Sequence, residues 1–376
     1  MTLLKYPGSK ESELKFIMPH LPAFNNYYEP FVGGGAVFCN ITANKYYIND
    51  KSEDLMNLYS CVKNEDKQFF AALQHINHNW MLLSDIVRED FHFFLKIYIA
   101  FRNDEFTEFA LSDYISEYII QNATRFNGML RTEFNYCIEN FTHEINENLV
   151  RKIKRMKRIE AQNAPLQTDD ILDNIECAFK SGFYMHFRYI YNHRSDLHLS
   201  DGFLAAVYLF IRDMCYSSMF RYNTNGDFNV PYGGISYNSK TFNTKITQYH
   251  DIQFRQKLER TILKCCDFYD FVNQFPVQND DFMFLDPPYD TEFSTYDKNV
   301  FEKKDQERLA QYVLHECRGK FMLVIKNTNF IAGLYKENVL CANGGRLKVQ
   351  SFDKKYVVSF KNRNNRNAKH LVITNY

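Results

Sequence analysis

Asp286-Pro-Pro-Tyr289 closes the apolar run Phe282-Met-Phe-Leu285. An apolar strand ending in an acid, two prolines and an aromatic ring puts a carboxylate on a stiff turn, because proline fixes φ. The Asp286 carboxylate and the Pro287 carbonyl can both accept hydrogen bonds from an –NH2 group. Pro288 stiffens the same turn, and Tyr289 offers a ring for stacking on a flat base. An amino group on an aromatic ring is a poor nucleophile, since its lone pair is delocalised. Two acceptors on its hydrogens draw the nitrogen towards tetrahedral geometry and localise that pair. Such catalysis is positioning and electrostatics, and Asp286 need not be a full general base. The alternative is a rigid proline turn whose Asp caps something nearby.

A second constellation is Glu29-Pro-Phe-Val-Gly-Gly-Gly35. Glycines at a strand end let the backbone approach a ligand and bare the N-terminus of the next helix. A nucleotide cofactor would use that place in a parallel sheet, with Asp50 at the next strand end accepting from ribose hydroxyls. Phe38 occupies the third glycine position of GxGxxG, which argues against a dinucleotide. The alternative is a tight turn with an ordinary helix cap. A third is Arg221-Tyr-Asn-Thr-Asn-Gly-Asp-Phe-Asn-Val-Pro-Tyr-Gly233 after Cys215-Tyr-Ser-Ser-Met-Phe220. It offers an arginine, amides and aromatics, suited to reading guanine or parting a base step, or else to building a structural loop. A fourth is Arg151-Lys-Ile-Lys-Arg-Met-Lys-Arg158, in which six of eight residues are basic. It is either a phosphate-contacting face or a solvated helix surface. Lys354 to Lys369 is a second basic stretch with the same two readings.

The elements that would carry these groups divide in three. Tyr27–Val32 reads as a strand, Ala36–Ala43 as a helix and Tyr46–Ile48 as a strand, a βαβ unit that predicts a parallel sheet. Apolar residues then recur at helical spacing over Leu55–Val62, Phe69–Trp80, Phe91–Phe101, Tyr114–Asn122 and Phe203–Met214. Gln162–Thr168 reads as a loop, and Phe220–Asn238 as loop or hairpin. Strands return at Thr261–Phe268, Phe282–Asp286, Lys320–Lys326, Lys348–Phe352, Tyr356–Phe360 and His370–Asn375, with a helix over Glu302–Cys317. The expected fold is α/β, one sheet assembled from residues 1–64 and 259–376, with a mainly helical region, 65–258, inserted.

Bulk properties narrow the class. Lys plus Arg and Asp plus Glu are both 45, so DNA binding would need a local basic surface. Nine cysteines without a CxxC pair fit a reducing cytoplasm and give neither a disulfide framework nor a metal site. No apolar run approaches the roughly 18 residues of a membrane span, and MTLLKYPGSK has no apolar leader core. A cytoplasmic protein is expected.

Taken together, the motifs resemble the Dam-like, D12-class adenine-N6 DNA methyltransferases of the α-group motif order. Lys5-Tyr-Pro-Gly-Ser-Lys10 is similar to the family's N-terminal cofactor motif, and Glu29 to Phe38 to its glycine-rich motif. Asn49-Asp50, the Arg221–Gly233 segment, the DPPY tetrapeptide, Phe293-Ser-Thr-Tyr296 and Leu371-Val-Ile-Thr-Asn-Tyr376 follow in order. The resemblance implies a Rossmann-like S-adenosylmethionine-dependent methyltransferase sheet with an inserted target-recognition domain. It implies S-adenosylmethionine held by Tyr6, Lys10, Glu29, Phe31, Gly33, Gly35, Asp50 and Asp286, with Asp267 and Phe268 near its adenine. It implies a flipped-out adenine held by Asp286, Pro287, Pro288 and Tyr289. Double-stranded DNA would be met by Tyr216, Ser217, Arg221, Asn223, Pro231 and Tyr232.

It further implies a monomer or weak homodimer in restriction-modification or DNA protection, where a cognate restriction endonuclease would be the partner. Ser217 stands where Dam enzymes usually carry Asn, so the Dam target sequence is not implied. Lys326-Asn327 replaces the more usual Ser-Asn. The block from about Ser84 to Ser200 exceeds a compact recognition domain and is expected to read a longer or asymmetric site. RNA or protein methylation is an alternative, but protein-directed relatives favour NPPY. A DNA-binding protein on a degenerate methyltransferase fold would have no use for both the glycine loop and an intact DPPY.

Overall fold

Tyr27–Glu29 (β1) and Tyr46–Asn49 (β2) run parallel, joined through the Ala36–Asn40 helix. Thr261–Lys264 (β3) pairs with β2, and Phe282–Leu285 (β4) with the other side of β1, both parallel. Lys320–Lys326 (β5) is parallel to β4, while Lys348–Lys355 (β6) and Asn367–Thr374 (β7) close the sheet antiparallel. The order is β3-β2-β1-β4-β5-β7-β6. In this computed structural model, residues 2–6, 8–129, 136–288, 301–355 and 367–376 are described. Tyr289, Phe293–Tyr296 and the Tyr356–Phe360 strand expectation lie outside them.

The four residues of β4 are wholly buried, the continuous apolar run of a parallel strand covered on both faces. Met283 and Leu285 face a core with Phe271, Leu309, Val313 and Phe321. That core lies under the Phe268–Gln274 and Lys303–His315 helices. Tyr27 and Tyr46 meet on the opposite face, where Phe38 crosses Tyr46 edge-on at 5.6 Å. The connection reverses direction between β1 and β4, so two strand ends open side by side at a switch point.

One compact unit comprises residues 1–63 and 250–376, and a second comprises 64–249. The boundary expected after 258 instead falls at 249. The reason is local: Asp251 caps the Ile252–Glu259 helix, and Lys257 from that helix donates to the carbonyls of Phe38, Cys39 and Ile41.

Helices dominate the second unit, among them Lys67–Glu89, Ile138–Glu160, Thr168–Asn192 and Asp201–Met214. Asp66 and Ser200 accept N-terminal N–H groups and start two of them. Trp80 is wholly buried against Phe183, Phe210 and Tyr232. Among the described residues, no helix is long and apolar enough to cross a membrane.

His186 is wholly buried between Phe141 and Phe187, and burial pushes its pKa down to about 3. The unfolded imidazole takes up a proton near its ordinary 6.5 while the folded one does not. Its stabilising contribution is therefore present above pH 6.5 and is lost as pH falls towards 3. At pH 5 the loss is about 2 kcal/mol. Thermal unfolding at pH 7 and pH 5 should show that loss in the native protein, and His186→Phe should reduce the difference. Equal pH dependence in both would contradict it.

Candidate active site

The glycine turn is built by its neighbours. Gly33 and Gly35 take positive φ, 47° and 72°, which side chains other than glycine resist. Gly33 N–H donates to the Asp50 carboxylate at 3.0 Å, and its carbonyl accepts from Tyr59 Oη at 3.1 Å. A Cβ on Gly34 would stand 2.3 Å from the Leu4 carbonyl oxygen, and one on Gly33 would stand 3.3 Å from the Tyr6 ring. The N-terminal segment carrying Tyr6 is thus laid directly on the turn, with Leu3 N–H donating to Gly34 O.

Asp50 also accepts from Ser52 N–H at 3.0 Å. Its neighbour Asn49 is buried and donates to the carbonyls of Pro30 and Cys266 while accepting from Cys266 N–H. Asn49 therefore ties together the ends of β1, β2 and β3. Glu29 is buried too, one oxygen accepting from Tyr27 Oη at 2.8 Å and Phe38 N–H at 3.1 Å. Burial raises its pKa well above the carboxylate range, against those two hydrogen bonds, with Asp286 and Asp50 adding to the rise. Expected as a cofactor contact, Glu29 is an internal cap of the Ala36–Asn40 helix. Phe38, where a dinucleotide site would want glycine, is that helix's core anchor.

At the neighbouring strand end, Lys10 pairs with Asp286. Lys10 is 2% exposed and Asp286 21%, so the ammonium sits behind the carboxylate while the acid keeps an open side. Pro287 is buried. The exposed Pro288 is held by its carbonyl, which accepts from Gln306 Nε2 at 2.7 Å.

At the third strand end, Asp267 caps the Phe268–Gln274 helix and pairs with Lys51 at 3.1 Å and Arg308 at 2.8 Å. Burial opposes its charge, but the Tyr269 N–H, Lys51 and Arg308 outweigh that and hold the carboxyl below its ordinary value. Phe268 is 2% exposed and packs with Phe31 and Phe301. Phe31 is half-buried in that aromatic group.

In the second unit the Arg221–Gly233 segment is a hairpin. Tyr222 bridges Phe228, and Cys215 bridges Tyr232. Asn223 accepts from Asn225 and Asp227 N–H and donates to the Asp227 carboxylate, so it builds the turn. Tyr232 is buried, donating to Asn238. Both were expected to touch DNA, and both are consumed inside the unit. Tyr216, Ser217, Arg221 and Pro231 are exposed. Ser217 and Ser218 have positive φ, and Tyr216 N–H donates to Pro231 O, a turn that turns Tyr216 outward.

Of the 151–158 basic run, Lys154 pairs with Glu108 at 2.5 Å and Lys157 with Asp104, as in an ion-paired helix surface. Arg155 and Arg158 are exposed.

The family model for D12 class N6 adenine-specific DNA methyltransferases matches residues 6–140 and 129–351. The chain belongs to that family. Relatives include the type II methyltransferase M.MjaIII of Methanocaldococcus jannaschii, 24% identical over 89% of this chain and 87% of that protein. The type II methyltransferase M.CviBI of Paramecium bursaria Chlorella virus NC1A is 34% identical over 46% of this chain and 61% of that protein. The retron Ec67 DNA adenine methylase of Escherichia coli is 22% identical over 89% of this chain and 80% of that protein.

This D12-class enzyme is thus an adenine-specific DNA methyltransferase, a type of enzyme that uses S-adenosylmethionine in general. Lys257, Gln306 and Arg308 support its site without having been singled out from sequence. Each acts on backbone or on a partner far along the chain, which leaves no local signal.

Proposed function

We propose that this methyltransferase holds S-adenosylmethionine over the ends of β1 and β2 and receives a flipped-out adenine at Asp286-Pro-Pro-Tyr289. One observation carries the reading: β1 and β4 pair in parallel, Tyr27 beside Phe282, so the glycine turn and the DPP turn leave the same sheet edge. The residues present fit the donor. Three successive glycines leave no room for side chains, as the approach of Leu4 and Tyr59 shows, and Asp50 fixes the turn through Gly33 N–H. A carboxylate with two oxygens can also accept from ribose hydroxyls.

When bound, the donor supplies a sulfonium methyl group. Lys10 fixes the orientation of Asp286. Asp286 and the Pro287 carbonyl then accept the two amino hydrogens of adenine and expose the nitrogen lone pair for in-line attack. Inside a duplex the amine is out of reach, so the base must leave the stack. The exposed Tyr216 and Arg221 are the groups we assign to DNA, Arg221 as a guanine reader. The likeness to type II methyltransferases supports a cognate restriction endonuclease as partner.

Calorimetric titration with S-adenosylmethionine tests the donor site. Asp50→Ala should weaken binding about 10- to 100-fold, the value of hydrogen bonds to a charged group. Unchanged affinity would place the donor elsewhere.

A further inference from the structure

The second unit holds an arrangement that the reaction itself does not require. Along the Thr168–Asn192 helix, Glu176, Lys180, Tyr184, Arg188 and Asn192 recur every fourth residue and so form one ridge that winds about the axis over about 24 Å. This ridge is polar, and most of it is spent on main chain. Lys180 donates to Asn238 O and pairs with Glu176 at 2.8 Å. Tyr184 Oη donates to Val230 O at 2.8 Å, and Arg188 reaches the same carbonyl at 3.4 Å. Asn192 donates to Phe228 O at 3.1 Å and accepts from Phe228 N–H at 2.9 Å.

These rungs grip the return strand of the hairpin on both sides of Asn229. Asn229 is the residue that holds Arg221. Its N–H donates to Arg221 O at 3.0 Å, and its side chain accepts from Arg221 Nε at 3.0 Å. Pro231, next along, accepts from Tyr216 N–H at 2.8 Å. A shift of Phe228 or Val230 therefore moves both exposed DNA-facing groups together.

We infer that the Thr168–Asn192 helix is the template of the base-reading hairpin, with Tyr184 and Asn192 as positioning residues that set target specificity. The inference rests on the reading of that hairpin as the DNA contact. Bidentate readout by arginine depends on fixed geometry, whereas phosphate attraction does not. A loosened hairpin should still bring the enzyme to DNA but accept wrong bases.

The test compares wild type, Tyr184→Phe, Asn192→Ala and Arg221→Ala in a host lacking adenine methylation, with N6-methyladenine mapped across the host genome. Tyr184→Phe removes one hydroxyl and keeps the ring, so folding is preserved. Thermal unfolding and S-adenosylmethionine affinity verify this for each variant. Methylation at sites one base away from the motif, relative to the full motif, should rise about tenfold or more in both helix variants. An unchanged ratio in these variants, with Arg221→Ala relaxed, would overturn the template and leave the hairpin reading standing. An unchanged motif in Arg221→Ala would overturn the hairpin reading and the template with it.

Discussion

Asp286→Ala should lower kcat about 100- to 1000-fold while changing S-adenosylmethionine affinity less than tenfold. The size follows from removing one preorganised polar group that acts on the reacting nitrogen. The pattern follows from the geometry. Asp286 ends β4, whereas the glycine turn and Asp50 end β1 and β2. Asp286 has a second role, because it neutralises Lys10, which is 2% exposed. Its removal takes the charge partner from a buried ammonium, which also reaches the Gly8 carbonyl at 3.3 Å. A loss of stability of about 1–3 kcal/mol should accompany the catalytic loss, below the cost of breaking a fully buried pair because Asp286 is partly open to water. Asp286→Asn keeps one acceptor oxygen and should retain more activity than the alanine variant. Single-turnover methylation and equilibrium cofactor titration separate the two effects. Equal losses in kcat and in cofactor binding would make Asp286 a cofactor residue first.

Gly34→Ala should weaken cofactor binding at least about tenfold and destabilise the protein by about 1–3 kcal/mol, the range for forcing atoms into a packed site. The new Cβ would lie 2.3 Å from the Leu4 carbonyl oxygen. That neighbour is backbone and cannot rotate away. The N-terminal strip must lift, breaking the Leu3 N–H to Gly34 O bond and carrying Tyr6 off the turn. Gly333→Ala is the control: among the described residues no atom beyond its own turn of helix lies within 4 Å of its added Cβ, and alanine suits the Asn329–Leu334 helix better than glycine. Melting curves with and without S-adenosylmethionine measure both terms. A Gly34 variant that behaves like the Gly333 variant would show that the strip yields freely.

The site was legible where its residues lie on strand ends with strong local chemistry. Phe282–Leu285 followed by Asp-Pro-Pro gave away β4 because a doubly covered parallel strand is apolar throughout. Lys320–Lys326 was read with its observed ends for the same reason. The Lys10–Asp286 pair was not readable as a pair, since its members stand 276 positions apart.

Loop composition also failed to say which side chains face out. In the hairpin, Asn223 and Tyr232 look as suited to DNA as Arg221, yet they are spent on the turn and on Asn238. The Thr168–Asn192 helix went unread because two of its faces are buried. Phe179, Phe183 and Phe187 enter the core, while polar rungs grip main chain, and the contrast between faces is blurred. The 151–158 run looked uniformly basic because its acidic partners, Glu108 and Asp104, come from a distant stretch of chain.

The most direct test is to express the chain in a host without adenine methylation and sequence the DNA for N6-methyladenine, with Asp286→Ala in parallel. Methylation confined to one short motif and lost in the variant is the predicted result. Soluble protein that binds S-adenosylmethionine but leaves every adenine unmethylated, or an Asp286→Ala variant that methylates as well as wild type, would contradict the account.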